Sequence, residues 1–231
     1  MINPWQKAKI VKTEQATADM KSVIVEPEKF LEFKPGQHCE ICLPGENVIR
    51  KYSIVSGLPA LAGINEKKFL EFGIQLISNG ALSPKLWELK VGDEMEIRGP
   101  IGSSFVWEST NTAPLILIGA GSGITPLLSI YDSYKWKHPR DHKRECVFIM
   151  SAKDSGRIMH YEKLKDILIT RFTAKEGRID LEFLKKNIGN LANNPDTACY
   201  VSGPDNFVDD MVDYVLELGF KEDNIRSERF I

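Results

Sequence analysis

Leu115-Ile116-Leu117-Ile118-Gly119-Ala120-Gly121-Ser122-Gly123-Ile124-Thr125-Pro126-Leu127-Leu128 is the stretch whose reading decides the fold. Four apolar residues in a row, two of them β-branched, read as a buried strand. Three glycines at alternate positions follow, so the backbone can turn sharply and approach a ligand without Cβ clashes. Thr125 fits an N-cap and Pro126 the first helical position, where a missing N–H costs nothing. Leu127, Leu128, Tyr131 and Tyr134 then continue at helical spacing. Strand, glycine turn and helix start bring free N–H groups and a positive helix end into one small space suited to a pyrophosphate. The spacing Gly-x-Gly-x-Gly-x-x-Pro differs from the usual dinucleotide fingerprint, and a turn that only packs a helix on a sheet has the same signature.

The rest of the second half also alternates strands with helices, which signals a parallel sheet covered on both faces. Glu145–Met150 and Thr197–Ser202 read as strands. Met159–Arg171 reads as a helix with Leu164, Ile167 and Leu168 on one stripe. Leu181, Phe183 and Leu184 mark a short helix. Phe207, Val208, Met211, Val212, Val215 and Leu218 mark a longer one, ended by Gly219. Lys137–Lys143 is a charged loop.

The first half reads differently. Short runs at Lys7–Thr13, Ser22–Glu26, His38–Leu43, Val48–Ser56, Phe69–Ile77 and Glu94–Arg98 are separated by turn residues, as in a small antiparallel barrel or sandwich. One helix is expected near Ser83–Lys90. The polar stretch Glu108–Pro114 marks the boundary, giving domains 1–111 and 112–231. The fold class is therefore an N-terminal antiparallel β-barrel followed by a parallel-sheet α/β domain.

Composition excludes several classes of function. The 231 residues are 42% hydrophobic and 27% charged, with net charge −2. No global basic field draws the chain to nucleic acid. No apolar run approaches the ~20 residues of a membrane span. Met1–Lys7 lacks the apolar core of a signal peptide, so a cytoplasmic protein is expected. Cys39, Cys42, Cys146 and Cys199 are scattered and form no iron–sulfur ligand set, and Cys39-x-x-Cys42 reads as packed thiols.

In open parallel sheets ligands lie outside the carboxyl ends of the strands. Three such ends are legible here: Gly119–Gly123, Ser151–Arg157 and Ser202–Asp205. At the second, an acid would grip a free ribose 2′-hydroxyl, whereas Ser151, Lys153 and Arg157 suit a 2′-phosphate and point to NADP(H). Asp154 dissents. In the first half, Arg50-Lys51-Tyr52-Ser53 places Arg50 and Tyr52 on one face of a strand. There Arg50 is suited to a phosphate, Tyr52 to a flat ring, and Ser53 to a hydrogen bond. Asn79-Gly80-Ala81-Leu82-Ser83-Pro84 is a second loop-to-helix start.

The order of these pieces resembles the ferredoxin–NADP⁺ reductase superfamily over nearly the whole chain. Pro35-Gly36-Gln37 is similar to the family's element before the flavin strand, and Arg50-Lys51-Tyr52-Ser53 matches its Arg-x-Tyr-Ser motif. The resemblance implies that Tyr52 packs on the isoalloxazine, Ser53 bonds near N5, and Arg50 holds the pyrophosphate of FAD. Gly80-Ala81-Leu82-Ser83 is similar to a helix start that takes the same phosphate, and Gly99-Pro100-Ile101-Gly102 to the close of the flavin domain. Gly119, Gly121, Gly123, Thr125 and Pro126 resemble the nicotinamide-nucleotide loop, and Tyr200-Val201-Ser202-Gly203-Pro204 the late motif beside the nicotinamide. Ser202 stands where many relatives have Cys. At the end of the chain Glu228 is expected near the nicotinamide, and Phe230 either covers the flavin or belongs to a loose tail.

The activity so implied is hydride transfer between NADPH and FAD, with electrons passed to a separate carrier such as ferredoxin or flavodoxin. Lys34, Lys51, Lys67 and Lys68 are candidates for its docking face. Three alternatives remain open: an NAD(P)H reductase of free flavin, quinone or an oxygenase component, a non-catalytic flavin-binding subunit, and a binding module with no cofactor.

Overall fold

The computed structural model describes residues 3–30, 32–57, 68–108, 110, 113–138 and 146–230. The first half holds β1 (Gln6–Gln15), β2 (Met20–Pro27), β3 (His38–Cys42), β4 (Arg50–Ser53), β5 (Leu70–Gln75), α1 (Ser83–Glu88) and β6 (Glu94–Ile101). Its six strands form one antiparallel sheet in the order β4-β3-β6-β1-β2-β5. Among the described residues the two edges meet through an Ile54–Phe72 bridge and the bonds from Val55 N–H to Glu71 O and from Glu71 N–H to Ser56 Oγ, both 2.8 Å, so the barrel is not closed by a continuous ladder.

Alternation decides which side chains fill this barrel. Ala8 and Ile10, Val23 and Val25, Phe72 and Ile74, and Met95 and Ile97 all turn inward to one core. α1 covers an open end with Leu82 and Leu86. Lys21 Nζ donates to the Trp87 and Leu89 carbonyls at 2.6 and 2.7 Å, placing a cation at that helix's C-terminal end.

The second half holds β7 (Leu115–Ala120), a tight turn at Gly121–Gly123, α2 (Ile124–Lys137), β8 (Cys146–Ala152), a second turn at Ser155–Arg157, α3 (Tyr161–Leu164) and β9 (Leu168–Phe172). It continues with α4 (Thr173–Glu176), α5 (Leu181–Ile188), β10 (Ala198–Gly203), α6 (Asp205–Glu217) and β11 (Ile225–Arg229). Five parallel strands run in the order β11-β10-β7-β8-β9. The order in which successive strands are laid down reverses between β7 and β10, the topological switch point where ligands bind in such sheets.

Successive residues of β7 serve opposite faces. Leu115 and Leu117 pack with α2, while Ile116 and Ile118 pack with α5 and α6. The α2 core also takes in Met20, Val55, Phe105 and Trp107 from the barrel half, so the two domains share one apolar interface.

Four readings of the sequence change. Met159–Arg171 is not a helix: helical backbone ends at Leu164, and Leu168–Phe172 pairs with Phe148–Ala152 as an edge strand. The β-branched Ile169 and Thr170 favour that pairing, which a window of local periodicity does not see. Thr125 is not an N-cap. A 3₁₀ turn precedes the helix, which starts at Ile124, and Thr125 Oγ1 donates to Ser122 O at 2.9 Å from inside the first turn. The chain end is not a loose tail through Arg229, because β11 pairs with β10 and Phe230 N–H reaches Gly203 O at 2.9 Å. The helix at Ser83 stops at Glu88 rather than Lys90. The proposed boundary at Asn111 and Thr112, and most of the Lys137–Lys143 loop, lie outside the described residues.

Candidate functional site

The switch point lies against the barrel. At Gly123 an added Cβ would lie 2.2 Å from Ser202 O, so the glycine turn after β7 is pressed onto the end of β10. Ser202 is in register with Glu228 of the neighbouring β11. Glu228 in turn faces the barrel strand β4, where Ser53 and Lys51 share one side and both favour its charged form. Burial outweighs them and pushes the Glu228 carboxyl up to about 7.

Ser53, Ser202 and Glu228 therefore form one cluster across the domain seam. Ser53 Oγ, Ser202 Oγ and Glu228 Oε2 are all buried, and none makes a hydrogen bond of regular geometry within the chain. A Ser53–Glu228 interaction is felt in the carboxyl's proton affinity, yet the hydroxyl geometry falls short of a bond. Buried polar atoms left without partners are costly, and at a seam they mark where a ligand's polar edge completes them. His38, in register with Ser53 on β3, adds a fourth such atom, Nε2, and burial lowers its proton affinity.

The other side of β4 carries Tyr52 and Arg50. Tyr52 packs on the barrel core, and burial pushes its hydroxyl up to about 12. Arg50 is exposed, with Nη1 donating to Ile49 O at 2.8 Å, so most of its fork is open to a phosphate. Gly80, Ala81 and Leu82 lead into α1. Ser83 Oγ is already engaged there, accepting from Ile77 N–H at 3.1 Å.

A cavity of about 360 Å³ opens at the carboxyl ends of β7 and β8. Gly121, Ser151, Lys153 and Arg157, all expected from the sequence at strand ends, are among the residues that line it. Gly121 sits at φ +55°, with nothing within 4 Å of an added Cβ, so its backbone is open to a ligand. Gly119 instead touches Leu127 and Met150, and Thr125 and Pro126 are buried in the first turn of α2, so these three shape the loop without lining the cavity. Gly203 and Pro204 sit at the third strand end and lead into α6.

Sequence reasoning missed Asp19, Met20 and Gln75, which form the barrel-side wall, and Thr173 beyond β9. Nothing local marked them: Asp19, Met20 and Gln75 join the site only when the domains dock, and Thr173 only when β9 pairs with β8. Of the lysines, Lys34 pairs with Glu108 at 2.6 Å and Lys68 lies 5.2 Å over the Phe30 ring, while Lys51 is exposed beside Glu228. Lys67 lies outside the described residues. Cys39 and Cys42 are buried thiols whose proton affinities burial pushes up to about 12 and about 11.

Residues 7–106 match the family of oxidoreductase FAD-binding domains. The chain is 29% identical to the flavohemoprotein of Bacillus subtilis, over 98% of its own length and 60% of that protein's. It is 34% identical over 125 residues to the ferredoxin–NAD(P)⁺ reductase component of the naphthalene 1,2-dioxygenase/salicylate 5-hydroxylase systems of Ralstonia. That match covers 54% of this chain and 35% of the relative. The chain thus spans at most 60% of these two curated relatives. The solved ferredoxin reductase in carbazole 1,9a-dioxygenase superposes with a TM-score of 0.79 at 22% identity, covering 99% of this chain and 70% of that one, and so shares the fold.

Proposed function

We propose that this chain, whose residues 7–106 match the FAD-binding domain family of oxidoreductases, is a ferredoxin reductase-like flavoprotein that moves a hydride between NADPH and FAD and delivers the electrons to a separate carrier such as ferredoxin or flavodoxin. The observation that carries this reading is the set of unpartnered buried atoms on Ser53, Ser202 and Glu228, contributed by both domains to one seam. A site for one nucleotide needs one domain, whereas a site where two flat rings meet needs both.

The residues present suit both cofactors. Arg50 and the Gly80–Ser83 turn would hold the FAD pyrophosphate, Tyr52 would lie on its ring, and Phe230, half-buried beside Gly203, would border it. The Gly121 turn would take the nicotinamide-nucleotide pyrophosphate, with Ser151, Lys153 and Arg157 toward a 2′-phosphate. FAD when bound supplies hydride exchange with a nicotinamide and single-electron exchange with an acceptor.

The protein's own contribution is position and proton control. Ser53 offers a hydroxyl hydrogen bond from a rigid strand. Ser202 offers a second one from the switch point. Glu228, with its proton affinity near 7, is poised to hold or release a proton at the seam near neutral pH. Lys51 beside it favours the charged form and gives the exposed edge a positive charge to meet an acidic carrier.

The test is the visible spectrum of the purified protein before and after anaerobic NADPH and NADH. A yellow protein bleached by NADPH at far lower concentration than NADH is expected. A colourless protein sinks the reading, and a yellow one that neither nucleotide bleaches favours a non-catalytic flavin subunit.

A further inference from the structure

The cation proposed above for a 2′-phosphate is already engaged. Arg157, in the turn after β8, points its Nη1 at Asp19 Oδ2, 2.7 Å away. Asp19 belongs to the other domain, in the turn between β1 and β2. Both residues line the 360 Å³ cavity. Asp19 is held in place: Thr17 Oγ1 donates to its Oδ1 at 2.9 Å, and Leu76 N–H donates to its carbonyl at 2.8 Å. Lys153, on the same loop as Arg157, makes no ion pair among the described residues.

We propose that Asp19 is a specificity-determining residue, which competes with the 2′-phosphate for Arg157 and lowers the pocket's preference for phosphorylated over unphosphorylated nucleotide. This rests on the reading of the cavity as the nicotinamide-nucleotide pocket. A carboxylate fixed against a guanidinium covers the donors that a phosphate would use. A nucleotide bearing a 2′-phosphate has to displace it, and one with a 2′-hydroxyl does not. Specificity is a difference of two affinities, so an obstacle felt by one ligand alone changes the ratio. The Asp19 and Arg157 side chains are 35% and 38% exposed, so solvent weakens the pair, and the change in ratio is about threefold to tenfold.

Calorimetric titration of the full FAD-loaded chain with 2′,5′-ADP and with 5′-AMP separates the cases, because the two probes differ only in the 2′-phosphate. Asp19→Asn keeps the shape and the Thr17 hydroxyl bond. It is expected to tighten 2′,5′-ADP by about threefold to tenfold and to leave 5′-AMP within about twofold. In an Arg157→Gln background the same change is expected to give no gain. Equal tightening of both probes, an unchanged ratio, or a gain that persists without Arg157 overturns the role of Asp19 while leaving the pocket in place. Failure of both probes to bind the wild-type chain removes the pocket itself, and this proposal with it.

Discussion

Glu228 shows how a single residue acquires a role from its surroundings. Its local sequence, Ser227-Glu228-Arg229, is polar throughout, and only the family resemblance, not local chemistry, places Glu228 near the nicotinamide. Pairing of β11 with β10 turns it toward the barrel, where burial raises its proton affinity to about 7 from an ordinary 4.5. The sign of the consequence follows directly. As pH rises from about 4.5 toward 7 the unfolded chain loses this proton while the folded one keeps it, so folded stability falls across that window. At about 1.4 kcal/mol per unit the whole effect is about 3 kcal/mol. Glu228→Gln is expected to gain about 2 kcal/mol over the wild type between pH 5 and pH 8, measured by urea unfolding at both values. A difference that does not change with pH would mean that Glu228 is solvated.

At the scale of elements the glycine turn is the informative piece, because its glycines do different work. Gly123 is needed for contact: a methyl group there meets the Ser202 carbonyl, which cannot move without breaking β10. Gly121 is needed for conformation and access, with a positive φ and open space beside it. Gly123→Ala is therefore expected to cost about 3 kcal/mol or to prevent folding. Gly121→Ala is expected to cost about 1 kcal/mol and to weaken nucleotide binding instead. Thermal unfolding together with nucleotide titration checks the contrast, and equal losses of stability would refute it. The same scale shows where local reading fails. Ile167-Leu168-Ile169 fits a helical stripe and a strand equally well, and only β8 alongside selects the strand.

The whole molecule is held together by an interface that is both apolar and polar. Trp107 is 2% exposed within a core drawn from both domains, with its ring edge-to-face on Tyr134 at 6.2 Å. Tyr200 donates to Val106 O at 2.9 Å, Ser129 to Ser56 O at 2.6 Å, and His160 meets Glu71 at 3.0 Å. Burial would raise the Glu71 carboxyl, but the contacts from His160 and Ser22 outweigh it and hold it below its usual value. Two domains so joined are expected to unfold as one. Trp107→Ala is expected to cost about 3 to 5 kcal/mol and to split a single calorimetric transition into two. One transition at an unchanged temperature would show that the interface does not couple them.

Period-two runs in the first half and alternating strands and helices in the second determined the two fold types without any tertiary information, because each pattern is the signature of an element that must bury one face or both. Local chemistry also marked the glycine turn, the Arg50–Ser53 strand and the Ser151–Arg157 loop, since glycine spacing and side-chain charge are properties of short stretches. Tertiary structure alone decided the partners. It brought Ser53, Ser202 and Glu228 from distant segments to one seam, made the chain end a strand, and set Asp19 against Arg157. The physical reason is that burial, register and charge pairing across a domain interface depend on the docking of whole surfaces, and no window along the chain contains both sides.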